Sequence, residues 1–481
     1  MSSKERVTIS LCMIVKDEEQ NLRELLPSVV HLFDEIIVVD TGSKDASRIV
    51  AERNGAQVFD LEWNDDFSAA RNYSITKATG DYVFWLDADD RISPKNRSLF
   101  LTLKSSLSKE SEPLALFFVI HNYGIQNRPA TVFRQLRLFP RKKGIFFSGR
   151  VHEQIFPSLH KEGIPMKNVD IVIQHMGYMD ENTRIKKIKR DLRILEKSGT
   201  SPFISINKAN LLESIGDLER AKRHLFDALR FQNELIRYNG WFEKLISDLV
   251  RILVKQQDFS EARRILEIGL QCKPNALQLL MMKAEQLIDQ HNYGKALDFL
   301  KKALKCPIEI TPIATNVTEQ KSHLYYLLAR AHMGLNKLQA AMENCLHGLK
   351  IYSYNSVFPP LLRELSERFA DHGNFSNALS ALEMIPEPRT LRDSLNLACF
   401  SLRIGHQEKF NFYMKELTKA LNVNVPAQFA SPEEVARSFL FIAEKLSEVP
   451  SHGRLIQTIY DTVNHLFGHN STYKILKKSG E

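Results

Sequence analysis

The chain has 481 residues, 43% of them hydrophobic and 25% charged, and carries a formal net charge of +8. The composition fits a soluble globular protein, and the length is too great for one ordinary core, so two or more domains are expected. The charge is modest for the length: it permits an anionic ligand without demanding nucleic acid, and no nucleic-acid partner is expected.

No apolar run approaches the roughly 18 residues that a membrane span needs. Met1 to Arg6 leads straight into a strand pattern, with no basic segment followed by an apolar core, so a cytoplasmic protein is expected. Cys12, Cys272, Cys306, Cys345 and Cys399 are odd in number, widely spaced and without a C-x-x-C pair, which argues against a disulfide framework or a zinc site. The basic run from Arg184 to Arg190 has the spacing of a solvated helix face.

In chain order, Val7 to Val15 is apolar and β-branched and reads as a strand. Acidic residues from Asp17 to Glu19 suit the start of a helix that carries Leu22, Leu25, Leu26 and Val29 on one face. Glu35 to Asp40 is a second strand, ending in a carboxylate. A tight loop, Thr41 to Asp45, offers Ser43 as the cap of a helix over 44–54, which Gly55 ends. A short strand at Gln57–Phe59, a helix from Phe67 to about Ala78, Gly80 and a strand at Tyr82–Leu86 follow. Such alternation implies a parallel, doubly wound sheet. No glycine-rich phosphate loop follows the first strand, so diphosphate charge has to be met by a metal and by basic side chains.

Leu86-Asp87-Ala88-Asp89-Asp90 places three carboxylates at the carboxyl end of a buried strand, where open α/β sheets bind ligands. Crowded carboxylates need a positive partner. Mg2+ or Mn2+, with hard oxygen ligands and positions open to phosphate, is the expected one, at Asp87 and Asp89. An Asp-rich solvated turn is the competing reading. Asp40 is placed to accept hydrogen bonds from a ribose or base, or else is a helix-capping or turn Asp.

Four segments now stand in order: Cys12 to Glu19, Val39 to Asp45, Phe67-Ser68-Ala69-Ala70-Arg71-Asn72, and Leu86 to Asp90. Together they resemble the family 2 glycosyltransferases of the GT-A fold, over roughly residues 7 to 180. The resemblance implies an α/β domain with a Rossmann-like mixed sheet, a nucleotide-sugar donor (most often a UDP-sugar) and inverting transfer. By its motifs Asp40 contacts the uridine, Val15, Glu18 and Arg71 line the nucleotide site, Asp87 lies near the ribose or diphosphate, and Asp89 binds the metal.

Leu114 to His121 and Ala130 to Phe139 read as further strands, with Asn122-Tyr123-Gly124 in the loop between them. Within Phe147 to Ile155, Glu153 is the candidate general base, taking the acceptor's proton during attack on the anomeric carbon, a service worth about 10²–10⁴ in rate. An ion pair with Arg150 or another cation is its alternative role. The resemblance favours the base, because similar transferases carry a V-H-E segment here. Asp170 to Tyr178 reads as a strand in which His175 either completes the metal shell or is structural. Arg134, Arg137 and Arg141 are read as phosphate partners or solvated strand residues.

From about residue 180 amphipathic helices take over. A polar turn, an apolar or aromatic residue and an Ala three positions on recur at Ala221, Ala262, Ala296, Ala341 and Ala378, in steps of 41, 34, 45 and 37. Steps scattered around 34 resemble tetratricopeptide repeats, an all-α array of stacked helix pairs. The expected layout is therefore a GT-A domain at 1–180, tetratricopeptide-like repeats at 181–431 and a helical cap at 432–481. A transferase joined to such repeats is similar to the sublancin-type peptide S-glycosyltransferases, which implies a peptide or protein acceptor. Repeats used for homodimerisation, with a saccharide or lipid acceptor, and a non-catalytic scaffold are the alternatives.

Overall fold

A computed structural model describes residues 6–107, 112–123, 129–177, 181–237, 240–307, 316–353, 355–386, 390–421, 432–447 and 453–467. Gly124, Tyr178 and the chain beyond 467, read above as loop, strand end and part of a terminal helix, lie outside the described residues.

β1 (Ile9–Val15), β2 (Glu35–Asp40), β3 (Gln57–Asp60) and β4 (Tyr82–Trp85) run parallel in the order β3-β2-β1-β4. The sheet continues from β4 through β7 (Pro129–Pro140), β6 (Ala115–Tyr123), β8 (Met166–His175) and the two-residue β5 (Asp90–Arg91). Strand–helix alternation implies a parallel sheet and the resemblance a mixed one; the sheet is mixed, because β7 pairs antiparallel with both β4 and β6. The few residues between Tyr123 and Pro129 permit a hairpin but not the dozen or so that a parallel crossover takes. Asn122 and Tyr123 extend β6 instead of forming a loop.

Side chains alternate across the sheet. Ile9, Leu11 and Met13 of β1 and Phe84 of β4 pack on one face with Leu22, Leu25 and Leu26 of α1 (Glu19–Val29), Val50 and Ala51 of α2 (Ser47–Arg53), and Phe100 of a later helix at Pro94–Leu107. Cys12, Val83 and Trp85 face the other way, towards Ile75 of α3 (Phe67–Lys77), Ala78 at its end, and Phe147 and Leu159. That alternation sets Trp85 under α3. Ser43 does not cap α2. Its hydroxyl donates to Asp40 Oδ1 at 2.8 Å, and the Ser47 N–H that opens the helix goes to Asp45 Oδ1 at 2.9 Å.

The chain leaves β1 for β2 and β3, then crosses back to β4 on the other side of β1. Val15 and Asp40 end their strands in register, and the Asp87 run follows β4. Several candidate residues thus gather at the carboxyl ends of parallel strands, at the switch point.

The chain divides into two compact units, residues 1–282 with 306–317, and residues 283–305 with 318–481. Antiparallel helix pairs fill the second unit and the remainder of the first, so the fold is α/β followed by an all-α tetratricopeptide-like array. Six pairs turn at a described residue with positive φ: Gly216, Gln257, His291, Asn336, Gly373 and Gly405. In each, the next N–H reaches back to a carbonyl five residues earlier, as from Asp217 to Leu212 and from Asn374 to Phe369, which closes the helix end. Ala221, Ala262, Ala296, Ala341 and Ala378 are all buried. The turn at Gly405 escaped the sequence pattern because buried Phe410 stands where the others have Ala.

Candidate active site

Asp87, Asp89, Asp90 and His175 bring ligand atoms within 4.8 Å of one another. Two features force this meeting. β5 pairs with β8 so that Asp90 lies opposite His175, and the turn closes on itself, Asp87 N–H donating to Asp90 Oδ2 at 2.8 Å and Asp90 N–H to the Asp87 carbonyl at 3.1 Å. His175 Nδ1 stands 2.9 Å from Asp90 Oδ1 and 3.4 Å from Asp89 Oδ1.

The acids differ in their surroundings. Asp90 is fully buried and held by Arg137, which donates to Oδ2 at 2.8 Å. Asp87 accepts from Arg71 at 2.9 Å, and Arg137 lies 3.9 Å away. Burial would raise its carboxyl, but these cations and His175 hold it below the ordinary range. Asp89 has no hydrogen-bond donor on its carboxylate among the described residues. Burial, and then the charges of Asp87, Asp90 and Glu18, push it up to about 6 against the pull of His175. His175 is pushed up to about 9: burial opposes this, and Asp90, Asp89 and Asp87 overcome it. An acid without a donor, beside carboxylates and an imidazole whose Nδ1 is held by Asp90, is a donor set suited to a divalent cation.

Arg71 lies on α3 with its guanidinium 3.9 Å from the centre of the Trp85 ring. Its Nε donates to Glu153 Oε1 at 2.5 Å and Nη2 to Asp87 Oδ1 at 2.9 Å. Burial opposes the charged form, but Asp87 and Glu153 raise the pKa beyond the ordinary arginine value. Glu153 therefore pairs with Arg71, not with Arg150, while no donor reaches its Oε2 among the described residues.

The neighbouring strand ends carry the remaining candidates. Val15 is buried, and its carbonyl accepts both the N–H and the hydroxyl of Thr41 at 3.0 Å. Asp40 caps its own turn, Oδ1 accepting from Gly42 N–H at 3.1 Å and from the N–H and hydroxyl of Ser43 at 2.8 Å. Glu18 accepts from Asn21 at 2.7 Å. The three arginines of β7 and its end, read as phosphate partners or solvated strand residues, are each engaged by protein groups. Arg137 is buried on Asp90 and stacks 3.7 Å from the Trp85 ring centre, Arg134 pairs with Asp170, and Arg141 donates to the carbonyls of Gly80 and Thr79.

Sequence reasoning gave Asp90, Trp85 and Asn72 no role of their own and read Arg137 only as a phosphate partner or a solvated strand residue. Asn72 binds the Glu153 segment reciprocally, donating to the Phe147 carbonyl at 2.9 Å and accepting the Phe147 N–H at 2.8 Å. Its place beside Arg71 in the sequence was the available signal. On its other side the segment is held by Val151, which packs with Ile194 and Leu195 of the first repeat helix and with Trp63 and Phe67.

Residues 10–101 match the family described as Glycosyl transferase family 2. The match contains Asp40, Arg71, Asp87 and Asp89 and stops short of Glu153 and His175. Among curated proteins, a TPR repeat-containing protein of Synechococcus elongatus is 34% identical over 46% of this chain and 56% of its own length. The SPbeta prophage-derived glycosyltransferase SunS of Bacillus subtilis is 29% identical over 40% of this chain and 44% of its own. The chain thus spans about half the length of these relatives. A structure of glucosyl-3-phosphoglycerate synthase from Mycobacterium tuberculosis is 17% identical over 41% of this chain and 82% of that one, at a TM-score of 0.31. Residues 10–101, which hold β1 to β4, thus match family 2 glycosyltransferases, and tetratricopeptide-like helical repeats follow in the chain.

Proposed function

We propose that the protein is an inverting glycosyltransferase that moves a sugar from a nucleotide-sugar, a UDP-sugar in the first instance, to an acceptor side chain on a peptide or protein. The observation that carries this reading is the convergence of Asp87, Asp89, Asp90 and His175 at the carboxyl end of β4, next to the Arg71–Glu153 pair.

Asp89 and His175 would hold Mg2+ or Mn2+, whose charge offsets that of a departing diphosphate. Asp87 faces the same cluster and Asp90 orients His175. Val15, Glu18 and Asp40 border the neighbouring strand ends and would take the uridine; among the described residues no donor reaches Asp40 Oδ2. Glu153 takes the acceptor proton on Oε2 as the acceptor's oxygen or sulfur bonds to the anomeric carbon and the bond to the diphosphate oxygen breaks. A Cys thiol, with a pKa near 8.5, asks less of that base than a Ser hydroxyl.

The repeats supply the acceptor side of the proposal, since stacked helix pairs present an extended surface for a peptide. No disulfide joins the cysteines among the described residues, in keeping with a reducing compartment such as the cytoplasm. No helix among the described residues is long and apolar enough to cross a membrane.

The test is UDP release from a panel of UDP-sugars with Mn2+. At least one should be turned over by the wild type, much less by Glu153→Gln and not by Asp89→Ala. Absence of both turnover and nucleotide binding in the wild type would favour a non-catalytic scaffold.

A further inference from the structure

The motif resemblance puts Arg71 on the nucleotide, but the side chain is otherwise engaged. It is 8% exposed, and its plane lies against Trp85 at 3.9 Å and Phe147 at 5.7 Å. The Nε–Nη2 edge of a guanidinium commonly grips both oxygens of one carboxylate. Here that edge is divided: Nε goes to Glu153 and Nη2 to Asp87. Two carboxylates from distant parts of the chain are brought side by side on one cation, which offsets their repulsion. One belongs to the acid cluster that would face the donor, the other is the proposed base that would face the acceptor.

We propose that Arg71 is a positioning residue which clasps Glu153 to Asp87 and so fixes the acceptor-side base against the donor-side acids, without itself binding the nucleotide. The inference rests on the transferase reading above. Asn72 supports it from the next position by pinning Phe147, so consecutive residues of α3 hold both ends of the segment that carries Glu153. A lysine cannot replace this clasp. Its ammonium keeps the charge but lacks the planar fork that serves two partners and stacks on the ring.

The experiment compares wild type, Arg71→Lys, Glu153→Gln and the double variant. UDP binding in Mn2+ is measured by calorimetry, and turnover is measured with whichever UDP-sugar the wild type hydrolyses, at saturating donor. Arg71→Lys should bind UDP within about threefold of wild type and lose turnover by more than about tenfold, and the double variant should be no worse than Glu153→Gln, because residues that act as a unit are not additive. Loss of UDP affinity in step with turnover would make Arg71 a donor ligand and overturn the inference. So would losses that multiply in the double variant. If Arg71→Lys does not fold, Arg71→Gln, which keeps an amide donor without the charge, gives the same comparison. A wild type that neither binds UDP nor hydrolyses any sugar nucleotide fails at an earlier point and removes the transferase reading itself.

Discussion

Asp90 and Arg137 form an ion pair from which water is shut out: the guanidinium donates to Oδ2 at 2.8 Å, and the two side chains are 0% and 2% exposed. Asp90 also receives the Asp87 N–H and His175, so the acid that sequence reasoning assigned no role organises the whole cluster. Asp90→Ala leaves a buried guanidinium without its main partner, a change that costs about 3–5 kcal/mol. All three tryptophans, Trp63, Trp85 and Trp241, lie in the unit formed by residues 1–282 with 306–317, so urea unfolding followed by their fluorescence reads this loss. Asp90→Ala with Arg137→Met should lose less than the sum of the two single changes.

Asp89, one position earlier, should respond with the opposite sign. Among the described residues its carboxylate has no hydrogen-bond donor, and burial with the charges of Asp87, Asp90 and Glu18 outweighs the pull of His175, so Asp89→Asn should leave the metal-free melting temperature unchanged or raise it. The same variant should lose the additional rise that Mn2+ gives in the presence of UDP. Thermal shift with and without the ion separates the two effects. A lower metal-free melting temperature would make Asp89 structural.

Asn72→Ala strips two backbone groups of Phe147 of their partners, at a cost of about 1–3 kcal/mol. It also frees the segment carrying Glu153, so turnover should fall while UDP affinity holds. Equal losses in both would place Asn72 on the donor side.

Stability of the first repeats should depend on acid through Glu213. Its carboxylate accepts Arg251 at 2.9 and 2.7 Å and Lys255 at 2.8 Å. The hydrogen bonds from Arg251, first, and from Lys255 hold it at about 2 although burial opposes them. A folded value below the unfolded ~4.3 means the native chain binds fewer protons between the two, so the stabilisation is complete above that range and fades as pH falls through it. Glu213→Gln should be less stable than wild type by a steady margin at neutral pH, and the margin should shrink as pH drops from ~5 towards ~3. Urea midpoints across that range test it.

Periodic signals were the readable part of the chain. Apolar runs marked β1, β2 and β4, and the recurring turn with its Ala marked five helix pairs, because strand and helix periodicity depend on neighbours in sequence. Pairing direction was not local: β6 and β7 read correctly as strands, yet only the short link between them forbids parallel pairing. At the site, Asp87 and Asp89 were visible as carboxylates crowded at the carboxyl end of a buried strand, and His175 as a histidine at the end of another strand. Arg137 was not, since an arginine in a strand looks like any solvated one until Asp90 is found beneath it. Glu153 was visible as an acid, but its partner Arg71 lies 82 residues away and no spacing rule joins them.

A crystal soaked with Mn2+ and UDP would decide whether the acid cluster is a donor site. Anomalous scattering should place the ion within coordination distance of Asp89 and His175, with the UDP diphosphate on it, and Asp89→Asn should abolish the peak. UDP bound away from Asp89, or an ion peak that survives in Asp89→Asn, would mean that this cluster does not hold the donor.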